Sequence, residues 1–396
     1  MPRKRTTTSS RSRAAQNRNP LVYLLLLILL LVLAYYNRDE LGSIVPVPDI
    51  PQGNQNGGQS GGQTGQTGGN SAIQMFFTTP SLVYPDKRDQ RTPSPLLQAT
   101  VADIDAARRS VDVAVFDLDV PEFVDALLRA KERGAEVRVV LDSENLETPE
   151  VAEQAGRLEN GGITVISDQR EAFMHNKFIV IDNAITWMGS WNITENDTFR
   201  NNNNMIRFVN QQLSGFYSGE FEQMFDKRFG SRKQSNAPYP SLTIGSARVE
   251  VHFSPKDGVA EYVLQRLEAA RSSIRFMTFS YTSDPIADAM LAKQQAGLLV
   301  QGVFEAQNAS GTGSEFGKLK RGGIDVLEDG NCYILHHKTI IIDDRIVITG
   351  SYNFTGSAEE SNDENLVIID DAAIAQQYIA EFQRLYQRAS APRRCG

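Results

Sequence analysis

A chain of 396 residues with 41% hydrophobic content holds enough apolar material to bury a large core, in one large or two medium domains. The net charge of -8 is uneven: residues 1–74 carry seven basic and three acidic side chains, which leaves -12 on the rest. So acidic a body is a poor general match for a nucleic-acid polyanion, although a local basic groove stays open. Two cysteines, Cys332 and Cys395, are too few for a disulfide framework and lack zinc-type spacing. One bridge holding down the C-terminal tail and a pair of free thiols are both open readings.

In chain order, residues 1–20 are basic and Ser/Thr-rich and read as a disordered cytoplasmic tail. Leu21 to Tyr36 is an unbroken apolar run of sixteen residues. Extended to Asn37, it is expected to be an uncleaved transmembrane anchor over 21–37, since Ala34-Tyr35-Tyr36 is no small-x-small cleavage site. The basic residues before it place the N-terminus in the cytoplasm and the body beyond the membrane. Residues 38–73, rich in Gly, Gln, Asn, Ser and Thr, read as a flexible tether.

The globular part is expected as two repeats, 74–230 and 245–392, joined by the polar stretch from Arg228 to Ser246. In the first, Ile104 to Arg109 ends a helix, and Val111 to Asp117 reads as a strand. A helix follows over Pro121 to Arg133, then a strand over Val137 to Asp142 and a helix from Thr148-Pro149 to Gly161-Gly162. In the second, Leu264 to Ser272 is a helix, Ile274 to Tyr281 a strand, Pro285 to Gln295 a helix and Leu298 to Phe304 a strand. Gly322-Gly323 precedes Ile324 as Gly161-Gly162 precedes Ile163. Each repeat closes with an amphipathic helix, near 213–226 and 372–388. Strands alternating with helices indicate an α/β sandwich in each half.

One pattern recurs in both repeats. His175-Asn-Lys177, four residues, Asp182 and then Gly189-Ser190-Trp-Asn192 form the first copy; His336-His-Lys338, four residues, Asp343 and Gly350-Ser351-Tyr-Asn353 form the second. Every position is offset by 161 residues, as are Asn204 and Asn365 further on. Phe173 to Asp182 and Tyr333 to Asp343 read as strands, on which histidine and lysine at i and i+2 share a face. Two such pairs facing each other would enclose a phosphate, with imidazoles in line across phosphorus and lysines on its oxygens.

These motifs resemble the phospholipase D superfamily, whose signature is H-x-K-x4-D followed by G-S-x-N, over roughly residues 74 to 392. The resemblance implies a duplicated α-β-α sandwich (the phospholipase D fold), with two halves about a pseudo-twofold axis that joins the motifs. It implies a phosphodiesterase without cofactor or metal. One of His175 and His336 attacks phosphorus, the other protonates the leaving alcohol, and Lys177 and Lys338 stabilise the phosphoryl oxygens. Ser190, Asn192, Ser351 and Asn353 would help bind those oxygens, with turn formation as the plainer alternative. Asp182 and Asp343 read as scaffold at strand ends. His337, on the opposite face from His336, and His252 read as structural, although His252 also stands where it would edge a pocket. Trp191 and Tyr352 either line a lipid or base pocket or pack.

The expected substrate is a glycerophospholipid head-group phosphodiester. The alternatives are a metal-independent endonuclease and a phosphatidyl transferase of the cardiolipin synthase kind. Holding both motifs, one chain is expected to act as a monomer. Twenty-eight residues past each motif histidine the halves differ: Asn203 follows His175, and Glu364 follows His336. Family resemblance makes this slot the partner of the histidine's second ring nitrogen. The expectation is therefore that Asn203 orients His175 as the nucleophile and Glu364 pairs with His336 as the acid, with a neighbouring asparagine or Asp197 as substitutes for Asn203.

Overall fold

In a computed structural model, residues 72–78, 84–391 and 395 are described. The expected anchor over 21–37, its cytoplasmic tail and most of the tether lie outside them. Among the described residues, no helix is long and apolar enough to cross a membrane.

Among the described residues, fifteen strands form two sheets. The first half contributes β1 (Ile73–Phe77), β2 (Ser110–Val115), β3 (Glu136–Leu141), β4 (Thr164–Ser167), β5 (Lys177–Ile181), β6 (Ile185–Gly189) and β7 (Asn204–Val209). The second contributes β8 (Leu242–Ile244), β9 (Ala247–Ser254), β10 (Ser273–Thr278), β11 (Leu299–Phe304), β12 (Asp325–Glu328), β13 (Lys338–Ile342), β14 (Ile346–Gly350) and β15 (Glu364–Asp370). The sheets run β1-β7-β6-β5-β2-β3-β4 and β8-β9-β15-β14-β13-β10-β11-β12, the same order apart from the extra edge strand β8. In each, β2-β3-β4 or β10-β11-β12 is parallel, as helical crossovers require, and the motif hairpin runs antiparallel to it.

The helices start where proline sits in the first turn: Pro95–Ala106, Pro121–Glu132, Pro149–Asn160 and Asp284–Gln295. The closing helices, Gln211–Phe225 and Ala372–Ala389, are capped alike. Asn210 accepts from Leu213 N, and Asp371 from Ile374 N. Alternation along the strands then separates three cores. Val113, Ile179 and Trp187 face the outer helices of the first half. Ile274, Ile340 and Ile348 face those of the second. Phe178, Val180, Val347 and Val367 point inward to a central core shared by both closing helices, with Tyr217, Phe221, Tyr378 and Phe382. Joining the halves through one core fixes the two motif strands relative to each other.

The stretch expected as a plain connector does more than connect. Leu242–Ile244 adds the edge strand β8, and Lys233 is buried with its Nζ on Glu220 and, at 2.7 Å, on Asp363 of the second half.

Candidate active site

Sequence patterning extends the motif strands from Phe173 and Tyr333, but β5 and β13 begin only at Lys177 and Lys338. The residues before them pair across the halves. Met174 bridges Asp363 and Leu335 bridges Asn202. Asp363 N donates to Phe173 O and His336 N to Asn202 O, each at 2.9 Å. The histidine segments are thus held by the partner half, because their own sheet neighbours end earlier.

This crossing exchanges the expected histidine partners. His175 Nδ1 meets Glu364 Oε2 at 2.7 Å, and His336 Nδ1 meets Asn203 Oδ1 at 2.9 Å. The within-half pairing expected from sequence is therefore overturned. The reason is the sheet order: β6 lies between β5 and β7. The head of β7 is thus two strand spacings, about 10 Å, from the motif strand of its own half. Asp197 also reaches His336, not His175, with Oδ2 at 3.3 Å from Nδ1. The next position repeats the crossing. Asn365 Nδ2 donates to Asn176 Oδ1 at 2.9 Å, and His337 Nδ1 meets Asn204 Oδ1 at 3.0 Å. His337 Nε2 lies 3.2 Å from Glu381, on the side away from His336.

Lys177 and Lys338 are 0% and 1% exposed, and each donates to the carbonyl of its histidine at 2.8 Å. Their ammonium groups lie over Phe116 and Phe279, 4.9 and 4.7 Å from the ring centroids. The same rings meet His175 and His336 edge-on at 4.9 and 4.8 Å. These two phenylalanines were missed, although both stand one residue past the end of equivalent strands, β2 and β10.

Burial dominates the electrostatics. It pushes Lys177 down to about 8, against the pull of Glu364 and Asp197. Lys338 falls well below its ordinary value through burial and then the repulsion of Lys177. Burial, then Lys177 and Lys338, hold His175 well below its ordinary value. His336 is lowered to about 4 by burial and Lys338, with Asp197 opposing. Glu364 is pushed up to about 8 by burial, with Lys177 opposing. Burial also works to raise Asp197, but His336, Asn201 and the Asn192 N–H hold it far below the carboxylate range. Two buried ammonium groups that repel each other, with two imidazoles held toward the neutral form, make a slot that an anion would relieve. Among the described residues no cluster of three His, Cys, Asp or Glu could hold a metal ion.

Gly189 and Gly350 permit the close approach of β7 and β15: a Cβ at either would stand 2.2 Å from the Asn204 or Asn365 carbonyl. The following serines use that contact. Asn204 N donates to Ser190 Oγ at 3.1 Å, and Asn365 N to Ser351 Oγ at 2.9 Å. Asn192 and Asn353 each keep a buried side-chain oxygen with no partner among the described residues. Trp191 and Tyr352 pack rather than line a pocket: Trp191 bonds Thr198, and Tyr352 bonds Glu359. Asp182 accepts from the N–H groups of Arg108, Arg109 and Ser110; Asp343 accepts from those of Arg271, Ser272 and Ser273. Both ends are scaffold contacts remote from the histidines. Cys332 and Cys395 are joined, tying the tail to the loop that leads to His336.

Residues 100–225 and 263–386 match the family model described as cardiolipin synthase, PLD-like domain. Phospholipase D of Rickettsia bellii is 31% identical over 153 residues, 37% of this chain and 76% of that protein. Mitochondrial cardiolipin hydrolase of Mus musculus is 30% identical over 148 residues, 37% of this chain and 67% of that protein. The crystal structure of phosphatidylserine synthase from Haemophilus influenzae superposes with a TM-score of 0.55 at 13% identity, over 74% of this chain and 83% of that one, a likeness of fold alone. Both halves carry the family's domain, and the chain belongs to the phospholipase D-like family of phosphodiester hydrolases.

Proposed function

We propose that the chain cleaves the head-group phosphodiester of glycerophospholipids through a phosphohistidine. The observation that carries this is the pairing of two buried ammonium groups with two histidines whose Nδ1 atoms are already engaged across the halves, which leaves each Nε2 as the working nitrogen. In this reading, His175 Nε2 attacks phosphorus, and the P–O bond to the leaving alcohol breaks. The Glu364 carboxyl at Nδ1 orients the ring and stabilises the imidazolium as it forms, much as the acid of a hydrolytic triad does. Once the bound phosphate offsets the two lysines, His336 takes up a proton at Nε2, gives it to the leaving oxygen, and then removes one from the water that splits the phosphohistidine. The role expected of each histidine is retained, but on new grounds: Asp197 faces His336 as an anion, which favours its protonated form. Lys177 and Lys338 hold the non-bridging oxygens, with Asn192 and Asn353 beside them.

A lipid substrate suits the acidic body and an apolar anchor at 21–37 that would keep the body at a membrane surface. The disulfide supports an extracytoplasmic, oxidising setting. The test offers the full chain phosphatidylcholine and cardiolipin vesicles beside single-stranded DNA. Phosphatidic acid or phosphatidylglycerol release in excess chelator is expected, since lysines stand where other phosphodiesterases hold metal. DNA cleavage without lipid turnover would replace the substrate, and loss of turnover restored by a divalent ion would replace the mechanism. With a diester whose leaving group needs no proton, His336→Ala should accumulate label on His175. Label on His336 in the parent enzyme would reverse the roles.

A further inference from the structure

The two histidines do not draw their carboxylates from equivalent places. His175 faces Glu364, at the head of β15. The equivalent position at the head of β7 is Asn203, a neutral amide. A second carboxylate instead stands six residues earlier, on the short helix Glu195–Phe199, where Asp197 lies 3.3 Å from His336 Nδ1. In the other half that place is Ala358, on the helix Gly356–Glu360. So the pair Asp197 and Asn203 corresponds to Ala358 and Glu364. One carboxyl group per histidine is kept, while its position in the repeat is changed.

Asp197 is built for this contact. Thr194 caps its helix and accepts from Asp197 N, as Thr355 does from Ala358 N, so the cap does not need an acid at this place. The carboxylate turns inward, is 2% exposed and is fixed from both sides. Asn201 Nδ2 donates to Oδ1 at 2.6 Å, and Asn192 N donates to Oδ2 at 2.8 Å. Asn203 is held in turn by its own donation to Asp197 O at 3.3 Å. The remaining charged groups around His336 are Lys338 on β13, Lys177 on β5 and, beyond them, Glu364. Both lysines disfavour imidazolium, so a carboxylate at this place is the group that lets His336 hold a proton.

We propose that Asp197 is the positioning carboxylate of His336, a relocated counterpart of Glu364, which sets the tautomer and proton affinity of the general acid; this rests on the reaction proposed above. It acts on the reaction through His336, while the Asn192 and Asn201 donors hold its carboxylate in place.

The test moves the charge back. The full chain is purified with 15N-labelled histidine; four histidines make its imidazole spectrum assignable by single substitution. Asp197→Asn, which keeps the hydrogen-bonding shape, should lower the His336 titration midpoint by about one unit or more. It should cut kcat at neutral pH about tenfold or more, with the alkaline limb of the profile moving to lower pH. Asp197→Ala with Asn203→Glu recreates the arrangement of the other half and should return both the midpoint and most of the turnover. An unchanged His336 midpoint in Asp197→Asn would overturn the proposal. So would a double variant that folds, by its thermal melt, yet leaves His336 where the single variant put it. The titration judges Asp197 whether or not a phospholipid is turned over, so failure of the substrate reading is seen separately.

Discussion

The two halves share one strand order and one motif, yet they are stitched together by different chemistry at equivalent places. Where the second half meets the first, Asp363 binds Arg170 and Lys233 as a buried ion cluster beside Glu364. Where the first meets the second, the same positions are Asn202 and Asn331, joined amide to amide at 2.7 Å beside Asn203. The backbone contacts match: Arg170 reaches the Ser361 and Phe173 carbonyls as Asn331 reaches those of Arg200 and Ile334. Charge is therefore concentrated at the Asp363 seam and replaced by amides at the Asn202 seam. A symmetric frame has been used to give two identical imidazoles unlike surroundings, as a reaction with one nucleophile and one acid requires.

The largest effect expected from erasing this difference is at Glu364. Glu364→Gln keeps a hydrogen-bond partner for His175 but removes the carboxyl group that can share the charge when its imidazolium forms, and turnover should fall about a hundredfold or more. Stability should move the other way with pH. The Glu364 carboxyl rises from 4.5 to about 8 in the folded chain. Its contribution is therefore full below pH 4.5 and lost as pH rises toward 8. Melting curves of Glu364→Gln and its parent should converge at low pH and separate in favour of the variant across that window. A variant less stable throughout would mean that Glu364 is ionised in the resting protein.

The stitching itself gives the next contrast. Asp363→Ala takes a carboxylate from Arg170 and leaves Lys233, whose side chain is 1% exposed, with Glu220 as its remaining carboxylate; it should cost about 3 kcal/mol. Asn202→Ala breaks only amide bonds at the equivalent site and should cost about 1–2 kcal/mol. Equal costs in chemical denaturation would show that the ion cluster adds nothing over the amide pair.

Sequence alone exposes the duplicated frame because it repeats in register, and proline and glycine mark the helix ends. It gives no sight of β1, β6, β7, β9, β14 or β15. Fourteen residues separate Ser190 from Asn204, and only the hairpin geometry makes them adjacent. The histidine partners were misassigned for the same reason. Sequence separation suggests that position 203 serves His175, whereas β6 between β5 and β7 sends it across to His336. Asp197 stood as a substitute partner for His175, and nothing local marks it as facing His336 of the other half. The disulfide stayed open because Cys332 and Cys395 are 63 residues apart, with no pattern to pair them.

His252 offers the finest contrast between the halves. On β9 it pairs with Leu366 of β15, as Phe76 on β1 pairs with Met205 of β7, so one half has imidazole where the other has phenyl. Phe76 packs on Trp187 with centroids 5.0 Å apart; His252 stacks on Tyr262 at 3.8 Å. It lies in a packed layer, where neither ring nitrogen meets a partner among the described residues, and it is 6% exposed. Burial, with Arg266 nearby, lowers its pKa to about 4 from 6.5. Between those values the unfolded chain binds a proton that the folded chain refuses. Stability is thus undiminished above pH 6.5 and is lost as pH falls toward 4. His252→Phe copies the other half and removes both the unpaired nitrogens and the linkage. It should stabilise by about 1–2 kcal/mol at pH 7 and by more at pH 5, with turnover unchanged. Melting at the two pH values reads this directly. A gain of equal size at both would trace it to packing, and a loss would mean that an unseen partner satisfies the imidazole.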